Sequence, residues 1–139
     1  MDMHLETSTR NLISNYGVGV LGVDGTDYRS NLMLVRGRVF ENWFDGPPAA
    51  LEMHHFDALF EEDEGEAPEI CLLGTGAGHV FPPFSLIAAL RARGVALEVM
   101  NTRAACRTYS VLVNEERPVA AALMQIAPGS DRQRSDPMP

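Results

Sequence analysis

Lysine is absent from all 139 residues, so the 11 basic side chains are arginines, set against 19 acidic ones for a formal net charge of −8. Affinity for a phosphate backbone rests on many Lys/Arg contacts, and adsorption to anionic lipid rests on basic clusters, so this balance argues against nucleic acid and membrane surfaces as partners. Cysteine is scarce as well. Cys71 sits in a strand-like apolar run and Cys106 in a helical pattern; two such positions build no disulfide framework and are expected as reduced thiols. No apolar run reaches the roughly 20 residues needed to cross a bilayer, and the opening MDMHLETSTRN lacks the basic and apolar regions of a secretion signal. The expectation is a cytoplasmic protein that does not insert into a membrane. Paired catalytic acids and a G-x-S-x-G nucleophile motif are also missing, so no catalytic residue is assigned. His54 and His55 are adjacent and diverge on a helix, and His79 stands alone, whereas zinc needs several convergent ligands. Neither a metal nor a cofactor is expected.

What is present is the composition of a folded domain, with 45% hydrophobic and 22% charged residues. The length fits one domain over residues 1–126, followed by a polar, Pro/Gly-rich tail over 127–139 that is expected to be disordered. The first forty-odd residues read as a β-meander: YGVGVLGV over 16–23 as a strand, DGT over 24–26 as a turn, then SNLMLV and RVFENW flanking Arg36-Gly37. Gly46, Pro47 and Pro48 break that pattern. Leu51, Phe56, Leu59 and Phe60 then give a short helical face, closed by the acidic run EEDEGE, which reads as a solvated helix end and loop. EICLL is a short continuous apolar run, Leu86, Ile87 and Leu90 fall at helical spacing before the stop signal Gly94, and VALEVM is a second buried strand. Strand, helix and strand joined by short connections predict a right-handed βαβ unit with parallel strands. Thr102 is expected to cap a second helix with Ala105, Cys106, Tyr109, Leu112 and Val113 on one face, before Pro118 and a last strand, VAAALM.

Two features carry candidate chemistry. The first is GTGAGHVFPP, Gly74 to Pro83, between a strand and a helix. Gly74 and Gly76 match a dinucleotide fingerprint, but His79 occupies the third glycine position, Gly78 arrives one residue early, and Pro82-Pro83 delay the helix. Glu98, where a ribose-binding acid is sought, lies inside a strand rather than at its end. A phosphate loop of the Gly-Lys-Ser/Thr type is excluded by the absence of lysine. A small ligand or anion held by backbone N–H groups of Gly74, Thr75, Gly76, Gly78 and His79 remains open beside a plain turn. The second feature follows VALEVM, where Thr102, Arg103 and Arg107 reach the same carboxyl end of the sheet, the end at which α/β sheets bind ligands. Arginine there suits a carboxylate or phosphate; the alternative is a surface ion pair. Cys106, near a helix N-terminus with Arg103 and Arg107 close by, is a candidate reactive thiol or a small core residue.

Larger strings narrow the fold. LLGTG, a helix, and RGVALEVMNTRAACRTYSVLVNEERPVAAALM together closely resemble the MTH-domain family of unknown function, whose members include a mitochondrial respiratory complex I assembly factor. The resemblance runs over nearly all of the chain except its ends, including Tyr28–Leu34 and Val39–Trp43; Ser110 departs from the asparagine common in the family. It implies a three-layer α/β sandwich with a central mixed sheet, two main helices packed on it, and the N-terminal meander. It transfers no catalytic residue. It implies a non-enzymatic interaction or assembly factor in respiratory complex I biogenesis, with a protein partner such as a membrane complex subunit or insertion factor.

Overall fold

The computed structural model describes residues 11–61 and 67–129. The tail beyond 129 and the acidic run over 62–66 lie outside the described residues. Five short strands come first: β1 (Ile13–Gly17), β2 (Val20–Val23), β3 (Thr26–Tyr28), β4 (Leu32–Val35) and β5 (Arg38–Glu41). Two of the turns between them hold adjacent left-handed residues, Asp24-Gly25 (φ 52° and 88°) and Arg36-Gly37 (φ 50° and 77°), which match the twist of paired antiparallel strands. The run over 16–23 is not one strand. It folds back at Val18-Gly19, where Gly19 has φ 72° and its N–H donates to Ile126 O at 2.9 Å, so backbone pairing elsewhere takes over the middle of the apolar run.

After a 3-10 helix over Met53–Phe60, kinked at Phe56, the order is β6 (Ile70–Thr75), α1 (Phe84–Ala92), β7 (Ala96–Met100), α2 (Thr102–Asn114) and β8 (Val119–Met124). The central sheet has the order β5-β4-β8-β6-β7, with β8-β6-β7 parallel and β4 antiparallel to both β8 and β5. The meander therefore divides: β1-β2-β3 form their own sheet, while β4 and β5 extend the central one.

Alternation along the strands builds two cores. Met33, Cys71, Leu73, Ala120 and Ala122 face Leu86 and Leu90 of α1 and Phe56 and Leu59 of the 3-10 helix. Leu32, Leu34, Leu72, Ala121 and Leu123 face Ala105, Cys106 and Tyr109 of α2 together with Leu21 and Val23 of the small sheet. These are the three layers: α1 and the 3-10 helix, the mixed sheet, then α2 with the small sheet. β8, buried at every position, lies in the interior of the sheet, and its three alanines let both outer layers approach closely.

Candidate functional site

The chain leaves β6 toward α1 on one face of the sheet and leaves β7 toward α2 on the other, so the two connections diverge at the carboxyl ends of adjacent parallel strands. In open α/β sheets that divergence is where a crevice forms. Here it is filled. β6 continues through Thr75, so Gly74 belongs to the strand, and a Cβ on it would lie 3.0 Å from Thr102 Cα and 3.2 Å from Ala105 Cβ. The glycine serves helix–strand contact. We expect Gly74→Ala to push α2 off the sheet and cost about 1–3 kcal/mol, read as a lower urea midpoint at unchanged slope.

Thr102 ties the start of α2 to the ends of β6 and β8. Its fully buried hydroxyl accepts the Gly76 N–H at 2.8 Å and donates to Met124 O at 2.7 Å, while its own N–H donates to Gly76 O at 2.8 Å. The cap of α2 is Asn101, whose Oδ1 accepts the Ala104 N–H at 2.8 Å; cap and helix start fall one residue earlier than expected, with Thr102 the first helical residue and its side chain committed to the sheet. Thr75 Oγ1 donates to Gly78 O and accepts the Val80 N–H at 3.1 Å, folding the turn onto itself. Gly76 has φ 88°, a conformation that favours glycine. The N–H groups of Gly76, Val80, Thr102 and Ala104 are thus occupied from within.

Gly74, Thr75, Gly76 and Thr102 are brought together and buried, whereas Gly78 is half-buried and His79 exposed. Arg103, half-buried, and Arg107, exposed, belong to the helix on the other face from the connection that carries His79. Cys106 is completely buried; burial pushes its thiol up to about 12, against the opposing pull of Arg107 and Arg103. Burial takes Cys71 to about 12 as well. At neutral pH both are protonated core side chains, and burial supports the core reading of Cys106 over the reactive one. Among the described residues there is no group of three His, Cys, Asp or Glu side chains that could hold a metal ion.

Both thiols rise from an ordinary 9.0, so the native chain keeps protons that the unfolded chain releases. Their contribution to stability is full below pH 9 and is lost as pH rises toward 12, by up to about 1.4 kcal/mol per pH unit for each thiol. Tyr109, raised by burial and then by Asp24, acts in the same direction at higher pH. We expect unfolding midpoints to fall steeply above pH 9, with a thiol reagent reacting only as the chain unfolds; rapid labelling at pH 7.5 would contradict this.

Three further residues at this end carry no signal in the glycine motif. Val80, Phe81 and Phe84 are 45%, 54% and 75% exposed. Phe81 bridges the His79 ring, 4.7 Å away between centroids, and the Phe84 ring at 6.0 Å. Pro82 and Pro83 stiffen the segment, which stands out as an apolar ridge. Phe84 lies two residues before Leu86, roughly 200° round the helix from the buried stripe, which is the sequence sign of its exposure. Beside it runs a groove of about 470 Å³ whose lining includes Leu51, Glu52, Met53, Pro83, Leu86 and Ala89. An exposed apolar ridge next to a groove is the character of an interaction surface.

The profile of a family described as a protein of unknown function (DUF498/DUF598) matches residues 13–124. The chain belongs to this family. An uncharacterized member-like protein of Rhodobacter capsulatus is 32% identical over 85% of the chain and 86% of its own length. A Francisella tularensis protein named 13 kDa major membrane protein is 32% identical over 54% of the chain and 58% of its own length. The zebrafish NADH dehydrogenase [ubiquinone] 1 alpha subcomplex assembly factor 3 is 40% identical over 45% of the chain and 36% of its own length. The chain thus spans little more than half of the Francisella relative and about a third of the zebrafish one. In three dimensions it is similar to the Mth938-like domain protein of Bordetella pertussis, with a TM-score of 0.71 and 27% identity over 86% of this chain and 89% of that one. The family's fold is the mixed α/β sandwich described above, in agreement with the resemblance read from the sequence. Among the described residues, no helix is long and apolar enough to cross a membrane.

Proposed function

We propose that the protein is a non-enzymatic, cytoplasmic interaction module that docks a protein partner through Val80, Phe81 and Phe84 and thereby assists assembly of a respiratory complex of the complex I type. The exposed ridge carries this reading: an apolar surface of this kind costs solubility unless a partner covers it. The likeness to the zebrafish assembly factor supplies the class of task, and the Francisella relative's name fits work beside a membrane. The test is deletion in a bacterium that makes complex I. Assembled complex and NADH oxidation should fall together and return on complementation; unchanged assembly and activity would remove the assembly role.

A small-ligand or anion site at Gly74, Thr75, Gly76, Gly78, His79, Thr102, Arg103 and Arg107 is the second reading, favoured by its place at the diverging ends of β6 and β7. It has less support, because the backbone N–H groups of Gly76 and Thr102 already have partners. Backbone amide shifts during titration with nucleotides, phosphate and carboxylates decide it: movement at Gly76, Gly78 and Arg103 supports a ligand, and stationary signals remove it.

A further inference from the structure

We infer that the start of the 3-10 helix is a proton-sensitive latch: a neutral His55 ring holds the Glu52–His55 turn closed, and its protonation releases that turn together with the groove wall at Glu52 and Met53. The inference stands apart from the docking reading, since it concerns the shape of the groove and not what enters it.

A helix start leaves backbone N–H groups without helical partners, and a capping box supplies acceptors from two side chains. Here the Glu52 side chain accepts from the His55 backbone, and His55 Nδ1 accepts the Glu52 N–H at 2.9 Å. The usual residue at the second position is Glu or Gln, whose oxygen accepts throughout the neutral range. An imidazole nitrogen accepts only while it carries no proton. The bond from Glu52 therefore places the ring's single proton on Nε2, and a second proton on Nδ1 would set one N–H against another. Histidine is the side chain whose ordinary titration falls between about pH 5 and 8, so a box built on it opens in mild acid.

The surroundings sharpen the response. His54 Nδ1 lies 3.3 Å from Glu52 Oε1, so acid strengthens the contact of that carboxylate with His54 while it breaks the bond to His55. The two imidazole rings are 4.0 Å apart between centroids, where two cations repel. The positive end of the helix dipole also disfavours an imidazolium in the first turn. The remaining ionisable side chain of this helix is Asp57. On its other side the His55 ring meets Phe44, 4.6 Å away between centroids, which Asp45 follows in the chain. Across the groove Pro83, Ser85, Leu86 and Ala89 bring no ionisable group. Leu51 and Phe56, both buried in the core, anchor the chain on either side of the box, so the release is confined to the turn between them.

The test is a titration of the isotope-labelled full chain from pH 8 to pH 5, with the ring nitrogens and the backbone amides followed together by NMR. At pH 8 the His55 ring should be the Nε2–H tautomer. As it takes up its second proton, the Glu52 and Met53 amides should shift with the same midpoint. Protection of the Glu52 amide against hydrogen exchange, relative to an unstructured peptide at each pH, should fall about fivefold, the strength of one hydrogen bond. His55→Gln keeps an acceptor at every pH and should abolish the step, whereas His54→Gln should leave it in place. An Nδ1–H tautomer at pH 8, or equal protection of the Glu52 amide at both ends of the titration, overturns the inference from the parent chain alone, whether or not the variants fold. A full step surviving in His55→Gln, or one lost in His54→Gln, overturns it too.

Discussion

Thr102→Val is expected to destabilise the protein by about 2–6 kcal/mol, because it strands two buried backbone groups at about 1–3 kcal/mol each. Valine keeps the shape of threonine but can neither accept the Gly76 N–H nor donate to Met124 O. The loss falls on β6, α2 and β8 together, so unfolding should stay cooperative. Trp43 provides the probe: it is half-buried and its Nε1 donates to Leu123 O at 3.3 Å, near the end of β8. Urea unfolding followed by Trp43 fluorescence should show a lower midpoint with an unchanged slope. Thr102→Ser keeps the hydroxyl and loses only a buried methyl, a cost of about 1 kcal/mol. Equal midpoints for valine and threonine would show that the hydroxyl does not hold β6, α2 and β8 together.

The second large effect is on binding and leaves stability alone. Phe81→Asp with Phe84→Asp changes two side chains that are 54% and 75% exposed, so the unfolding free energy should move by no more than about 0.5 kcal/mol. Aromatic anchors at the centre of an interface typically contribute about 2 kcal/mol or more each, so the double variant should bind its partner at least a hundredfold more weakly. The two readouts together separate docking from folding. Thermal unfolding that matches the parent, with partner co-purification lost, is the expected pair; retained co-purification would place the interface elsewhere.

Much of the fold was legible in the chain because the signals were local. Asp24-Gly25 and Arg36-Gly37 announce turns through the residues that tolerate positive φ, and ICLL and VAAALM are continuous apolar runs of the kind that strands buried on both faces require, whereas VALEVM, expected as a second buried strand, forms the edge strand β7 with Glu98 exposed. The division of the meander into two sheets was not legible, since it depends on β4 pairing with β8, with Leu32 opposite Leu123, about ninety residues later. The same limit applied to Thr102. A threonine at the start of a helix reads as its cap, and only the tertiary structure shows that its hydroxyl is committed to Gly76 and Met124 while Asn101 caps instead.

The site divides in the same way. The glycine turn drew notice because Gly74 and Gly76 match part of a nucleotide fingerprint, and the structure adds that Gly74 lies against Thr102 and that Gly76 has φ 88°. Arg107 and Arg103 suggested a lowered thiol at Cys106, but charge pattern alone does not register burial, and burial dominates. The ridge went the other way. HVFPPF looks like a connection into a buried helix, and its exposure follows from Phe84 lying off the Leu86–Leu90 stripe, a geometric point that composition conceals.

The most direct test of the ridge as a docking surface is complementation of a deletion strain with the Phe81→Asp, Phe84→Asp double variant, with assembled complex I quantified on native gels at matched protein levels. The expected result is a stably accumulated variant that leaves complex I as depleted as the deletion does. Full restoration of complex I by that variant would contradict it.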